Sequence, residues 1–447
     1  MTGSMQGTSV PYQANRPVVT YLNGTYWGLY NLRERIGEDY LKSRYGVEKE
    51  DLDLLENNAF ARTGSNTDYV ALRDYVADND MSTAEAYEYV NQRIDLLNFA
   101  EYYAAQIYFG NHDWPKNNVR YWRDRAGDGK WRWILYDTDY GGNGNGNATT
   151  NQRGNSLDRV LRPLGDTLSV PPWSNSLFVG LMDNQTIRHQ FVNTMADFMN
   201  SRWLPDSMQQ LIYQNAEVIA SEIPQAFARW DKDPADWETA LQRFDLFFQE
   251  RPTLMKQFVR WGFDDVTGHN PVQILQEPAG AGYVKVNSLT ITEPDWTGDY
   301  FRGVPITLEA VPRPGYRFVR WELDIERNTP AIRIIAKRPR RYRAVFVDTT
   351  TSVGDTDTAS VPSELEVGVF PNPARVECWL DLMLPRPERV AFELVDALGR
   401  RVWVRAAETL EPGKHLVAVE VAALPRGSYF LRVELGQEVV VRRVGVW

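Results

Sequence analysis

Between Asn111 and Gly142 the sequence concentrates side chains suited to chemistry: three aspartates, Asp113, Asp137 and Asp139, and two adjacent amides, Asn117 and Asn118. Carboxylates and amide oxygens meeting at one place form the ligand set of a hard cation such as magnesium. The groups are far apart in sequence, so a structural element must bring them together. VRYW (119–122) and KWRWILY (130–136) read as half-buried strands, and RDRAGDG between them is a polar, glycine-bearing turn. An antiparallel hairpin joins its two ends, which sets Asp113 and Asn118 beside Asp137 and Asp139. On the residues alone, a polar cluster capping the hairpin or a calcium loop stays open beside a metal–phosphate site.

The elements around this stretch follow from periodicity and turn signals. Residues 17–32 form a predicted hairpin about Asn23-Gly24, a dipeptide favoured in tight turns, and Arg33, Glu34 and Arg35 follow it. A short helix ends at Gly46. Helices are expected over 67–80 and 83–109, and LLNFAEYYAAQIYF is apolar nearly all round, as a buried helix is. It runs directly into Asn111. NGNGNATTNQRGNS (143–156) reads as a loop able to cover a ligand, and 176–262 returns to helical spacing. From 270 to 348, short strands alternate with Gly and Pro turns. Residues 349–363 read as a linker, and 364–447 as a β-sandwich.

The bulk numbers bound the function classes. The chain has 447 residues, enough for two to four domains, with 43% hydrophobic and 24% charged residues, as a folded globular protein has. Its net charge of −10 argues against nucleic-acid binding by the whole chain. No apolar run reaches the ~18 residues of a membrane-spanning helix. Cys378 is the single cysteine, so no intramolecular disulfide forms, and it is expected buried and inert in a strand. The start, MTGSMQGTSVPYQ, has neither a basic nor an apolar region of a signal peptide.

Three segments resemble known families. Residues 16–264 resemble the CotH kinase family, named for spore coat protein H, in RPVVTYLNGTYWGLYNLRERI, FGNHDWPKNNVRYW, KWRWILYDTDYGG and a late helix carrying QERP. The resemblance implies a mostly helical, atypical kinase-like domain with β-hairpins, using Mg2+ and ATP to phosphorylate a protein substrate. In kinases a catalytic aspartate precedes a metal-binding asparagine by five positions, as Asp113 precedes Asn118. By that analogy Asp113 orients or deprotonates the acceptor hydroxyl. Asn118, Asp137 and Asp139 hold the metal, and Glu34 lies near the nucleotide. The family's phosphate-clamping lobe lies upstream of the first hairpin, so residues 1–15 are expected to be a truncated start and the amino-terminal lobe incomplete. Within the β module expected at 270–348, residues 278–348 resemble an internalin-type B-repeat in GYVKVN, DYFRGVPITLEAVPRPGYRFVRWEL and YRAVFVD, which implies a spacer or adhesion module. Residues 364–447 resemble the sorting domain of type IX secretion in VFPNPA, ELVDALGRRV, LPRGSYFLRV and Arg442-Arg443. That implies a Bacteroidota-type source, passage through the type IX machinery, and a secreted or outer-membrane-surface protein.

The expected fold class is therefore multidomain α+β followed by all-β. The expected function is a secreted or surface protein kinase, the alternative a pseudokinase or an adhesion protein with a cation-binding acidic cluster. His112 is expected to be packed rather than catalytic, and Trp122, Trp131 and Trp133 to be hairpin packing rather than a sugar platform. Glu34, between two arginines, reads equally as a surface ion pair.

Overall fold

The structure is a computed structural model describing residues 1–142, 153–162 and 170–349, then 366–370, 374, 377–384, 386–396, 399–410, 413–435 and 438–446. The loop expected at 143–156 and the linker expected at 349–363 therefore fall largely outside the described residues. The chain divides into two compact units, Met1–Thr351 and Ser352–Trp447.

The first unit opens with a hairpin of β1 (Asn15–Leu22) and β2 (Thr25–Arg33). Both turn residues, Asn23 and Gly24, have positive φ (50° and 77°), as a tight turn between twisted strands requires. Among the described residues the hairpin's two strands pair only with each other. α1 (Glu38–Tyr45) ends at Gly46, whose φ of 71° returns its N–H to Lys42 O. β3 (Leu52–Glu56) and β4 (Phe60–Thr63) follow, then α2 (Thr67–Asp78), α3 (Ala84–Asn91) and α4 (Leu96–Tyr108).

The single helix expected over 83–109 is thus two. The Arg93–Asp95 segment is pinned to the chain at Trp131 by Trp131 N–H to Arg93 O (2.8 Å) and Asp95 N–H to Trp131 O (3.1 Å). Asp95 then caps α4, accepting from Asn98 N–H at 3.1 Å. The expected hairpin is β5 (Arg120–Asp124) and β6 (Arg132–Ile134), but it forms half of an antiparallel sheet ordered β4-β3-β5-β6. α5 (Ser156–Leu161), α6 (Pro172–Asp183), α7 (Gln185–Met199), α8 (Pro205–Ala220), α9 (Ile223–Arg229) and α10 (Pro234–Gly262) complete the helical layer.

α4 is the central element, with every residue except Leu97 buried. Buried Asn98 fastens it to β6, accepting from Trp133 N–H at 2.6 Å and donating to Trp133 O at 3.2 Å. Trp131 and Trp133 are each 1% exposed and stack among Tyr69, Phe99 and Tyr121, so they are core, as is Trp122 in a smaller cluster with Ile36 and Tyr136.

Eight further strands belong to the same unit: β7 (Gly268–Glu277), β8 (Gly282–Val286), β9 (Leu289–Ile291), β10 (Asp295–Arg302), β11 (Pro305–Pro312), β12 (Tyr316–Leu323), β13 (Ala331–Ile335) and β14 (Arg340–Asp348). They make two four-stranded sheets, β10-β7-β14-β12 and β13-β11-β8-β9, antiparallel except for the parallel β7–β14 pair. Their apolar residues join the core of the helical layer. The contact is clamped by Asp197 of α7, a buried carboxylate that accepts from the Ser288 hydroxyl (2.6 Å) and N–H (3.0 Å), the Tyr300 hydroxyl (2.9 Å) and the Asn287 amide (3.2 Å).

The second unit holds β15 (Glu366–Phe370), β16 (Glu377–Leu384), β17 (Glu388–Val395), β18 (Arg401–Leu410), β19 (Gly413–Glu420), β20 (Gly427–Leu435) and β21 (Glu438–Val446). They form sheets β15-β16-β19 and β18-β17-β20-β21. Alternate residues of both sheets, including buried Cys378, Leu380 and Leu382 of β16 and Leu431 and Val433 of β20, fill one apolar core. The fold class is mixed α+β followed by β. Among the described residues no helix is long and apolar enough to cross a membrane.

Candidate active site

Two loops leave the fastened pair α4–β6 at the same end. The first, 111–118, follows α4 through Gly110 (φ 61°), and the second, 135–142, follows β6. Asn111, fully buried, joins them. Its Oδ1 accepts the Asp113 N–H at 3.2 Å, while its Nδ2 donates to Asp137 O (3.3 Å) and to Gln106 Oε1 (2.9 Å). His112 N–H donates to Tyr140 O at 3.3 Å, and Gly142 N–H to Phe109 O at 2.7 Å. The turn can close because Gly142 has φ of 63° and a Cβ there would lie 2.5 Å from the Phe244 ring.

The Asp113 carboxylate accepts from Asn118 Nδ2 and Asn117 Nδ2, each at 2.9 Å. The Asn118 nitrogen is thus turned to Asp113, which leaves its amide oxygen as the atom a cation would take. Asn118 and Asp137 both hold positive φ (58° and 50°), a conformation that side chains other than glycine adopt rarely and often at functional sites. Burial, then the neighbouring Asp139 carboxylate, then Asp113, raise the Asp137 carboxyl above its ordinary value, although the Arg33 cation opposes them. Arg33 Nη1 lies 3.9 Å from Asp137 Oδ1. The Asp137 carboxyl therefore feels the charges of both Asp139 and Asp113.

Among the described residues no group of three or more His, Cys, Asp or Glu side chains is arranged as a metal cage. A magnesium ion does not need one. It keeps several waters and takes one or two carboxylates beside substrate phosphates. Asp137 and Asp139, whose mutual repulsion a cation would relieve, fit that requirement with the Asn118 amide oxygen.

Glu34 lies elsewhere than its neighbour Arg33. Its carboxylate accepts from Arg44 at 2.6 Å and from Ala14 N–H at 2.9 Å. Burial would raise it, but these hydrogen bonds and the Arg44 charge hold it below the usual carboxylate range. It is an ion pair at the foot of the hairpin. His112 is half-buried, and burial followed by the Arg159 and Arg251 charges lowers its pKa to about 4, which keeps it neutral at pH 7.

Sequence reading missed the frame behind the loops. Arg159 of α5 donates to His112 O at 3.2 Å and to Asn111 O. Arg251 of α10, 1% exposed, donates to Tyr108 O (2.7 Å), Ile107 O (2.8 Å) and the Ser156 hydroxyl, so it caps the carbonyl end of α4. Burial lowers both guanidinium pKa values to about 10, and both stay cationic at pH 7. One signal was available. Phe247, Phe248, Arg251, Met255 and Phe258 share the buried stripe of α10, and a charge in an apolar stripe calls for a buried partner.

Residues 2–255 match the family model described as CotH kinase protein, and residues 368–446 match the one described as secretion system C-terminal sorting domain. The latter marks the chain for export through type IX secretion to the cell surface or beyond. No curated protein matches the chain. Among solved structures, dimeric latent PorU from Porphyromonas gingivalis is similar at 14% identity over 38% of this chain and 16% of that one, with a TM-score of 0.17. A DUF3823 family protein from Bacteroides uniformis is similar at 9% identity over 40% of this chain and 96% of that one, with a TM-score of 0.11. Scores this low carry no argument about fold, and the chain spans about a sixth of the PorU chain.

Proposed function

The chain belongs to the CotH kinase protein family, and from that premise we propose that the 111–142 region is the metal- and acceptor-binding half of a protein kinase site, in a protein exported by type IX secretion. The observation that carries the reading is the Asn118–Asp113 hydrogen bond, in a loop that Asn111 ties to the Asp137 loop, with the Asp137 carboxyl raised by the Asp139 and Asp113 charges. Asp113 keeps lone pairs beyond the two amides it accepts, so it can take a hydrogen bond from an acceptor hydroxyl and then its proton. Asn117 and Asn118 hold that carboxylate in one orientation. Asp137, Asp139 and the Asn118 oxygen would hold magnesium, which supplies charge neutralisation for the phosphates of ATP. Nothing in this half is assigned to clamp those phosphates, and Glu34 is retained as a residue beside the nucleotide only through its place after β2. The test is radiolabel transfer from ATP to protein acceptors with magnesium, by the chain and by Asp113→Asn. Transfer lost in the variant supports the reading, and equal transfer removes Asp113 as the catalytic group.

A second reading is favoured by the partners these carboxylates already have within the protein, Arg33 beside Asp137 and the two amides on Asp113. In it the chain is a pseudokinase or adhesive surface protein, with 270–348 as the adhesion module and the acidic cluster holding a structural cation. Thermal stabilisation by a divalent cation with no transfer under any condition would establish it.

A further inference from the structure

A concavity of about 500 Å³ is lined by Arg62 of β4, Arg120 of β5 and Arg35 from the stretch after β2. Sheet register builds it. Glu56 pairs with Phe60 of β4 and Arg120 of β5, so Arg62 and Arg120 lie on either side of its carboxylate. Glu56 accepts from Arg62 and, at 3.2 Å, from Arg120, so one carboxylate faces two guanidinium groups. Arg120 also donates to Ile36 O at 3.1 Å, yet its buried Nε has no partner. Arg35 is exposed and makes no ion pair among the described residues. On the rim, Glu38 is occupied by Lys49 at 2.9 Å and by the Thr63 hydroxyl at 2.8 Å, and Asp39 is exposed. The lining itself sets Arg35, Arg62 and Arg120 against Glu38 and Asp39, a surplus of one positive charge, while Glu56 behind it is shared by Arg62 and Arg120 and Lys49 outside it holds Glu38. In a chain of net charge −10, a positive surplus carried on guanidinium forks is a seat for an oxyanion.

The seat is linked to the acidic cluster through Tyr136 and the end of β2. The Arg120 guanidinium lies 4.9 Å from the ring centre of Tyr136, the residue before Asp137, and Arg33, two residues before Arg35, faces Asp137. A surplus of one charge, with Glu38 and Asp39 on the rim, suits a single carboxylate or phosphate better than a triphosphate. We propose that this pocket binds an acidic or phosphorylated side chain of the acceptor polypeptide, near the hydroxyl presented to Asp113, and so makes the site selective for acidic acceptors. The assignment of the occupant as an acceptor rests on the kinase reading above, while the anion seat itself does not.

The test is direct binding, without ATP, of three labelled serine peptides that differ only in flanking glutamate, phosphoserine or glutamine, using the whole chain. The acidic and phosphorylated peptides should bind about tenfold more tightly than the glutamine peptide, within the range of one charge-assisted hydrogen bond. Their advantage should shrink as salt rises. Arg35→Gln, a change at an exposed side chain without an ion pair, and Arg62→Gln should each remove most of it, with thermal unfolding of Arg35→Gln unchanged. Equal affinity for all three peptides, or discrimination that survives both variants, would overturn the proposal. So would loss of Mg-ATP binding in the two variants while the peptides bind alike, since the pocket would then serve the nucleotide. Discrimination without phosphoryl transfer keeps the seat and rejects the kinase reading. Transfer without discrimination does the reverse.

Discussion

Asp113 and Asn118 are hydrogen-bonded side chain to side chain at 2.9 Å, so the two residues whose separation suggested a catalytic loop are in contact. Replacing Asp113 by Asn keeps the shape but sets an amide nitrogen against one of the two amide donors. Stability should fall by about 1 kcal/mol, a shift of a few degrees in unfolding temperature. Phosphoryl transfer should fall at least ~100-fold, as expected for a lost general base. Calorimetry and radiolabel transfer on one preparation separate the two effects.

Asn111 carries no chemistry of its own, yet it sets the spacing of both loops. Asn111→Ala leaves the Asp113 N–H and the Asp137 carbonyl without their buried partner. The expected loss is ~2–3 kcal/mol of stability. The rate constant for transfer should fall more than the acceptor KM rises, because the bound acceptor meets a displaced carboxylate. Denaturant midpoints with steady-state kinetics check both.

Burial and the nearby Asp139 and Asp113 charges raise the Asp137 carboxyl above its ordinary value, against the Arg33 cation. Its proton and a bound cation compete for the same oxygens, so magnesium affinity should fall as pH drops through the raised Asp137 pKa. Asp139→Asn removes the nearest like charge and should move the Asp137 titration to lower pH, read by carboxyl carbon NMR.

Asp197 gives the opposite dependence from an ion-paired carboxylate. Burial raises its pKa to about 6 from 3.8, even against the four hydrogen bonds it accepts. A folded pKa above the unfolded one means that the folded state binds the extra proton between about pH 6 and 4. This group's contribution to stability therefore rises as pH falls through that window, by up to ~3 kcal/mol. Tyr300 also faces it and stays protonated, pushed well above its ordinary value by burial and the Asp197 charge. Asp197→Asn should flatten the difference in stability between pH 4.5 and 7, measured by urea unfolding.

The sequence made the site's own residues legible because polar clusters flanking two strands leave a local pattern. Asn23-Gly24 and Gly46 were equally readable, since positive φ selects those residue types. β3 and β4 were missed because LDLLE and FART are too short for a clear alternation, although they complete the sheet behind the site. Arg159 and Arg251 act through backbone carbonyls, which every residue possesses, so no side-chain pattern reports their partners. Arg33 carries the same difficulty, because only the folded path of β2 shows which of three consecutive charged residues meets Asp137.

The β1–β2 hairpin works as a strut. Nine residues of β2 span about 30 Å. Near the turn Trp27 meets Trp230, the residue after α9, edge to face at 6.3 Å, with Arg229 over its ring, and Gly28 leaves the Trp230 indole its room. At the other end Arg33 faces Asp137. Since neither strand is bonded into a larger sheet, load between α9 and the acidic cluster passes along the hairpin backbone itself. A lateral shift of α9 would change the Arg33–Asp137 separation, and with it the charge balance around Asp137, with no residue of the acidic cluster moving first.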